Sequence, residues 1–341
     1  MSSRYLLRRI GQAVIVLFAA YTASFLLLNA LPGDGVMIKF ENPEMGLSDE
    51  QIANLREYYG ADVPLPYRYV HSLMGTLRGD FGYSIENSVP VRERIAAAAP
   101  QTLQLSGLAF LLALVIAWTV ALGAYFAKGS WLRNTISSIP SLFVSIPTFW
   151  LGVMLIQIVS FELGLVPVIG GTPWQRLILP VITLAIPISA PMAQIILRTF
   201  DQVRRRPFIQ VVEAKGASRW WMLTRHTARN SVLPILTISG LIFAELLSGS
   251  VVTETVFNRN GLGGLTNKAV QSQDLPMMQA IVIIAATTFV LINLVVDLLY
   301  PVLDPRLRTR STPLSGPLTA SPDDVEAETV AAQPVLTGSE A

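Results

Sequence analysis

Six long apolar runs constrain this chain more than any other feature of its sequence. The first run, residues 10–31, has 22 residues, and about 20 are enough for a helix to cross a bilayer. Five more follow, at residues 100–127, 136–161, 177–197, 235–257 and 278–303. Lipid offers the backbone no hydrogen bonds, so such runs form helices. The sequence therefore predicts an all-α polytopic membrane protein with six transmembrane helices, in agreement with a mean hydropathy of +0.50.

The first apolar run also follows a basic N-terminus, which is typical of a secretory signal peptide. The run is longer than the apolar part of a signal peptide, and no clear small-residue cleavage site stands before Pro32. We therefore expect residues 1–31 to form a cytoplasmic N-terminus and a retained first transmembrane helix.

A polar segment, residues 32–98, separates the first two apolar runs and is predicted to be a small external domain. It holds ten acidic and six basic residues and no cysteine, so it should lean on the spans or on a partner for stability. Ser48 and Gln51 form a capping-box pattern before a helix with Ile52, Leu55 and Tyr58. Two prolines and the turn at residues 78–82 are expected to break up the rest. This domain either recruits an external binding protein or serves as a structural cap.

Basic residues indicate how the spans are oriented. The short segments on one side carry 16 Lys and Arg, and the two short loops on the other side carry three. Because short basic loops stay in the cytoplasm, we expect both termini to be cytoplasmic. The outer three are Arg176, Arg259 and Lys268.

The segment at residues 198–234 is the most basic in the chain, with eight Lys and Arg against two acidic residues. Phe208, Val211 and Val212 recur at helical spacing, and Gly216 interrupts the pattern. Ser218 can cap a second short helix that carries Trp220, Trp221 and Leu223. We predict a helix, a glycine break and a helix at the cytoplasmic face. The alternatives are an interfacial amphipathic segment and a helix-turn-helix.

Three acidic residues lie in the predicted spans: Glu245, Glu254 and Asp297. Glu254 and Asp297 are near span ends, where they could anchor or pair helices. Glu245 is deeper and is our tentative substrate-pathway residue, because it could contact a cationic group of a substrate. A buried structural glutamate is the alternative. Prolines in the third and fourth spans could kink them for alternating access or serve ordinary packing.

Other chemistry is largely excluded by composition and motifs. The chain has no cysteine and two histidines, which the predicted topology places on opposite sides of the membrane, so we expect no metal site, cofactor or catalytic residue. It contains no phosphate-binding G-x-x-x-x-G-K-[ST] motif, so we expect a transport subunit and no enzyme, with any ATP hydrolysis supplied by a partner. Residues 306–341 are predicted to be a disordered acidic cytoplasmic tail.

Several short motifs occur in order along the chain: RYLLRR at 4–9, LPGD at 31–34, RGDFGYS at 78–84, SIPTFWLG at 145–152, ETVF at 254–257, GLG at 261–263, DLLY at 297–300 and LDPR at 303–306. Between them, Glu213-Ala214-Lys215-Gly216-Ala217 lies in the basic segment. Together these motifs, from residue 4 to about residue 310, resemble the first permease subunit of ABC importers for dipeptides, oligopeptides and nickel, and the Glu213–Ala217 motif is similar to the "EAA" coupling loop of these permeases.

The resemblance implies a type I ABC importer permease fold in a bacterial inner membrane, with a five-helix permease core at residues 99–305 and the coupling loop at 198–234. It implies a second homologous permease subunit, ATP-binding subunits, an external substrate-binding protein and a peptide substrate as partners. The ATPase-coupling residues would be Glu213, Ala214, Lys215, Gly216, Ala217, Trp220 and Arg225.

Two features depart from the family pattern, namely the Trp220-Trp221 pair and the long acidic tail. Nickel chelates and glutathione are alternative substrates that share this scaffold. From other classes, a gradient-driven secondary transporter and a membrane-anchored assembly or signalling subunit stay open on the residues alone.

Overall fold

The computed structural model describes residues 3–30 and 63–303, together with residues 48, 50, 51 and 54. The acidic tail and Ile52, Leu55 and Tyr58 of the predicted external helix lie outside these residues. In the described part no strand forms, and the long helices are α1 (Ser3–Ala30), α3 (Val91–Phe126), α6 (Gln175–Arg204), α9 (Ala228–Val256) and α11 (Leu275–Leu303). The shorter helices are α2 (Leu65–Leu77), α4 (Ser130–Ser145), α5 (Thr148–Leu155), α7 (Pro207–Ala214), α8 (Arg219–Met222) and α10 (Leu262–Gln271).

The predicted number of spans agrees with the structure. The five long helices are apolar enough to cross a membrane, and a bent pair of helices gives a sixth span if it is taken as one. The polytopic all-α fold class is confirmed. The observed helices begin up to nine residues before the predicted runs, because polar and charged residues at the span ends continue the same helices.

The third span is broken, whereas a single run at residues 136–161 was predicted. Helices α4 and α5 meet at an angle of 94° at Ile146 and Pro147, and a π-helical turn, Ile156–Glu162, follows α5. Proline disfavours a helical backbone at the preceding residue, and Ile146 is extended, with φ −89° and ψ 117°. The three prolines of the fourth span instead lie inside the continuous helix α6.

The core lies between α3 and α6, with α9 packed against α6. Alanines recur every fourth residue along α3 at positions 109, 113, 117 and 121, and all are fully buried. Small side chains let two helix backbones approach closely, which is how helices associate where lipid gives no hydrophobic drive. The α3–α6 pair is therefore the centre against which α4 and α9 pack.

The first span packs against the last. An ion pair joins Arg9 of α1 to Asp297 of α11, with 3.1 Å between Nη1 and Oδ2, so Asp297 pairs helices as the sequence predicted. Helix α2 packs against the second half of α1. The ring of Tyr69 in α2 lies edge-on to Tyr21 and Phe25, and the Tyr69 hydroxyl is 2.8 Å from Thr22 Oγ1. The described part of the external domain thus leans on the spans, as expected.

Helix α2 corrects one prediction about the external domain. Proline 66 was expected to break the chain, but it lies in the first turn of α2, where its missing N–H leaves no hydrogen bond unmade. The turn at residues 78–82 is confirmed, since Gly79 and Gly82 have φ of +76° and +75° and the Gly82 N–H donates to Asp80 Oδ1. The capping box is also present, because Ser48 N donates to Gln51 Oε1 at 2.9 Å and Gln51 N donates to Ser48 Oγ at 3.3 Å.

The outer end of the bundle contains a helix that was not predicted. Helix α10 packs with the start of α3 and of α11 through a buried apolar cluster that includes Val91, Leu265 and Met277. Asp274 caps α11 by accepting from Met277 N at 3.2 Å, and its other oxygen accepts a short hydrogen bond from Ser84. The end of the external domain is therefore fixed to the start of the last span.

Candidate functional site: the coupling loop

The predicted sequence of a helix, a glycine break and a second helix is present. Helix α7 ends at Ala214, Gly216 has φ +86°, and α8 begins at Arg219. Ser218 caps α8, because its Oγ accepts from Trp221 N at 3.2 Å. A π-helical turn, Leu223–Thr227, then leads into α9. The part of the coupling loop outside the two long helices is thus residues 205–227.

The underside of the coupling loop is packed onto the spans. Ile209 of α7 and Met222 of α8 are buried against Val203, near the end of α6. Leu223 reaches further and belongs to the central core between α3 and α6. The underside of the loop therefore contacts both the end of α6 and the core between α3 and α6.

Aromatic contacts bind α8 to the end of α3. Trp220 stacks on Phe126 with 6.0 Å between ring centroids and 26° between planes. The Tyr125 hydroxyl donates to the Arg219 carbonyl at 3.3 Å, and its ring lies edge-on to Phe200 of α6. The Trp220-Trp221 pair, which departs from the family pattern, is thus partly explained, because Trp220 joins the loop to α3.

The other face of the loop is open. Glu213, Ala214, Lys215, Gly216 and Arg225 are exposed, and Ala217 is half-buried. Trp220, Trp221, Phe208 and Val211 add exposed apolar surface, with exposed fractions from 39% to 62%. The ring of His226 lies edge-on to Phe208 and Trp221, at 5.8 and 5.0 Å, and holds these two side chains together. The predicted coupling residues Glu213, Ala214, Lys215, Gly216, Trp220 and Arg225 are therefore all exposed on the loop.

Glu245 lies on the exposed face of α9 in this subunit. The opposite faces of α9 are covered by α6 and α11. Its neighbours on the open face are Leu241, Gly249 and Val252, spaced by about one or two helical turns. A charge so far from the span ends is expensive against lipid, so this face requires a protein or aqueous environment.

Glu254 is fully buried near the end of α9 and joins α9 to α3 and α10, which agrees with its predicted role as a helix-pairing group. Its carboxyl group accepts hydrogen bonds from Thr102 Oγ1 at 2.6 Å and from the N–H groups of Gly263 and Gly264 at 2.7 and 3.1 Å. Thr102 in turn accepts from Leu262 N at 2.7 Å. The carboxyl group and the threonine together satisfy the first turn of α10.

No group of three or more potential metal ligands occurs among the described residues. The two histidines belong to separate parts of the structure, His71 to α2 beside Tyr67 and His226 to the coupling loop. The candidate site consists of the exposed side of the coupling loop and the open face of α9.

Two family descriptions match the chain. Residues 107–309 match the binding-protein-dependent transport system inner membrane component, and residues 2–106 match the N-terminal part of binding-protein-dependent transport system membrane components. Among solved structures, the MetNI methionine ABC transporter in an inward-facing conformation superposes with a TM-score of 0.53. The match has 17% identity and covers 62% of this chain and 96% of that chain, so it shows the fold alone.

Curated relatives match over most of their length. The glutathione transport system permease protein GsiC of Escherichia coli (strain K12) is 35% identical over 305 residues, which are 89% of this chain and 98% of GsiC. GsiC of Shigella flexneri serotype 5b (strain 8401) has the same identity and coverage. The chain belongs to the binding-protein-dependent transport system inner membrane component family and is a permease subunit of an ABC importer with the type I fold.

Proposed function

We propose that this subunit forms half of the pathway of an ATP-driven importer for dipeptides or oligopeptides. A second homologous permease forms the other half, ATP-binding subunits dock at the coupling loop, and an external binding protein delivers the peptide. A bacterial inner membrane with both termini in the cytoplasm fits the distribution of basic residues. The relative GsiC is named for transport of glutathione, a small peptide, which makes glutathione the second candidate substrate.

The observation that carries this proposal is the two-sided coupling loop. One side buries Ile209, Met222 and Leu223 against the spans, and the other presents charged and aromatic residues to the cytoplasm. Docked ATPases that close on ATP would displace the loop and, with it, the ends of α3 and α6. The switch requires that the ATPases bind the two permease states with different affinity, since equal affinity shifts no equilibrium.

Gly216→Pro tests the role of the loop. Proline holds φ near −65°, whereas Gly216 has φ +86°, so the turn between α7 and α8 cannot form in the variant. The matched control is Gly164→Pro, because Gly164 also has a positive φ, of +61°, and open space around it, but lies in the predicted outer loop. Purification in mild detergent with mass spectrometry should show a second permease and a P-loop ATPase with the wild type and with the control.

The expected result for Gly216→Pro is selective loss of the ATPase with the second permease retained. Recovery of the chain alone from the wild type would overturn the whole proposal. Full retention of the ATPase by Gly216→Pro would overturn only the role of the loop.

Glu245 is proposed as a pathway residue that contacts a cationic group of the substrate, such as a peptide amino group. Its place on the open face of α9 supports this role. In Glu245→Gln we expect uptake to fall about tenfold while assembly and ATPase content stay normal, since a hydrogen bond to a charged group contributes roughly 1.5–3 kcal/mol. The control is Glu93→Gln, an exposed acid in the first turn of α3. Unchanged uptake in Glu245→Gln would exclude the role.

A further inference from the structure

A cavity of about 660 Å³ lies at the end of the bundle that the charge distribution places outside the membrane. Four segments line it: the third and fourth turns of α3, the loop before α6, the start of α6, and the end of α9 with the loop that follows. Its volume is within the range of small-molecule sites, roughly 300–1,000 Å³. None of the predicted site residues belongs to it.

The lining of this cavity is cationic and rich in amides. It contains Arg176 and Arg259, two of the three basic residues of the short outer loops, and no acidic residue among the described residues that line it. Its amide side chains are Gln101, Gln104, Gln175, Asn258 and Asn260. Guanidinium groups bind carboxylates through paired hydrogen bonds, and amides suit peptide groups.

Arg259 is held in place by its backbone but not by its side chain. Its backbone N–H donates to the Glu254 carbonyl at 2.8 Å. Its carbonyl oxygen packs closely against Gly264, since a Cβ added to Gly264 would lie 2.5 Å from that oxygen. The buried Nε of Arg259 has no hydrogen-bond partner among the described residues. Burial lowers the pKa of Arg259, Glu254 raises it, and the nearby Arg176 lowers it again. The attraction of Glu254 offsets only part of this cost, and the Nε–H of Arg259 is available to donate to an anionic group in the cavity.

The cavity stands in line with Glu245. Val256 lines the cavity and follows Glu245 by eleven residues of the same helix, α9. Eleven residues make three helical turns plus about 20°, so the two positions share one face, about 16 Å apart along the axis. A substrate that leaves the cavity along this face would pass from a cationic site to an anionic one.

We propose that this cavity is an outer vestibule that binds the carboxylate of an incoming peptide through Arg176 and Arg259 before the peptide reaches Glu245. The proposal rests on the proposed importer function and narrows the substrate class. A peptide with a free carboxyl group fits the vestibule, and a cationic nickel complex does not.

The chain has no cysteine, so a single cysteine reports on the charge of the vestibule. Asn258→Cys places a thiol in the cavity, and Gln271→Cys places one at the exposed end of α10 as the control. In the assembled importer, the labelling rates of this subunit are measured by mass spectrometry with an anionic and a cationic thiosulfonate reagent.

Two guanidinium groups should favour the anionic reagent. We expect the anionic-to-cationic rate ratio at residue 258 to exceed that at residue 271 by about three- to tenfold. Arg176→Gln, at an exposed position, should reduce the excess, and the further change Arg259→Gln should abolish it. An equal ratio at both cysteines, or an excess that survives loss of both arginines, would overturn the proposal.

The carboxylate is tested with trialanine and trialanine amide as the added peptides. Trialanine should slow labelling of the cysteine at residue 258, and the amide should not. Equal protection by the two peptides would overturn recognition of the carboxylate. Labelling requires neither transport nor ATP hydrolysis. The vestibule proposal can therefore fail in the labelling experiment even if the importer assembles and transports normally.

Discussion

At the scale of single residues, Glu254 shows how one buried side chain organises the outer face. Its carboxyl group receives three hydrogen bonds, from one side chain and two backbone N–H groups. The neighbouring glycines leave it room, since a Cβ on Gly261 would lie 2.3 Å from Glu254 Oε2 and one on Gly263 would lie 2.5 Å from Val251 Cα. The sequence ETVFNRNGLGG is therefore one structural unit that also places Arg259.

Replacement of Glu254 should destabilise this unit in a graded manner. Glu254→Ala leaves two backbone N–H groups without an acceptor, so we expect a loss of about 3 kcal/mol or more in the free energy of unfolding. Glu254→Gln keeps one carbonyl oxygen, and its amide can donate to Thr102 Oγ1, so we expect a loss of about 1 kcal/mol. Thermal unfolding in detergent measures both.

Thr255→Val is the control for Glu254, because Thr255 is exposed and bonds only within α9 in the structure. It should unfold like the wild type. Equal stability of Glu254→Ala and the wild type would show that the hydrogen bonds to α10 do not hold the outer face.

At the scale of elements, helix contacts depend on single small residues. Helices α9 and α11 cross at Gly240, where an added Cβ would lie 2.3 Å from Cγ2 of Val296. Valine is branched at Cβ and cannot swing its methyl groups away without leaving its rotamer. The two helices must therefore separate if Gly240 carries a side chain.

Gly240→Ala should lower the free energy of unfolding by about 1–3 kcal/mol, because overpacking forces the backbone to shift. Val296→Ala in the same chain removes the clashing methyl groups, and the double variant should be more stable than the sum of the two single effects predicts. The measurement is thermal unfolding of the four proteins in detergent. Additive effects would contradict the close approach of α9 and α11.

The coupling loop is a second element, and Trp220 provides one of the contacts that hold it against α3. Trp220→Ala removes the stacking on Phe126, which should reduce stability by about 1 kcal/mol and weaken the hold of α8 on α3. If the loop docks the ATPases, co-purified ATPase should fall as well. Trp174→Ala is the control, because Trp174 is similarly exposed but lies before α6 on the predicted outer side. A full ATPase content with Trp220→Ala would show that α8 needs no aromatic anchor.

At the scale of the whole molecule, orientation in the membrane follows from charge and can be tested with single cysteines. The segments predicted to be cytoplasmic carry 16 basic residues, and the predicted short outer loops carry three. Thr224→Cys in the coupling loop and Lys268→Cys on α10 are exposed positions at the two predicted faces. An impermeant thiol reagent added to intact cells should label Lys268→Cys alone, and both should react after the cells are opened. The reverse pattern would exclude cytoplasmic termini.

Much of the architecture could be predicted from the sequence, because it depends on local properties. Whether a segment crosses the membrane depends on the free energy of transfer of its side chains from water to the bilayer. This free energy is a sum over consecutive residues, so it can be read from the sequence. Pro147 disfavours a helical residue before it, Gly216 permits a positive φ, and Ser218 can cap the next residues, so these local features needed no distant contact. The family motifs added the coupling role, which remains a proposal.

The sequence led to wrong predictions at residues that occur both at helix starts and in chain breaks. Pro66 was read as a break, and it starts α2. Asp274 was not recognised as the cap of α11, although aspartate followed by Leu275-Pro276 is a typical helix start. Helix α10 was missed because it is short and its first turn is satisfied by Glu254 and Thr102 instead of a local cap.

The sequence by itself determined how many spans form, their predicted orientation and the shape of the coupling loop. Only the tertiary structure decided that Glu254 is buried against Thr102, that Glu245 lies on an open face, and that Arg176 and Arg259 line one cavity with Gln101. The physical reason is distance along the chain: Thr102 and Glu254 are 152 residues apart, and nothing in either neighbourhood indicates the other. The burial and the hydrogen-bond partners of such residues depend on which helices pack together, and helix packing is determined by the tertiary structure as a whole.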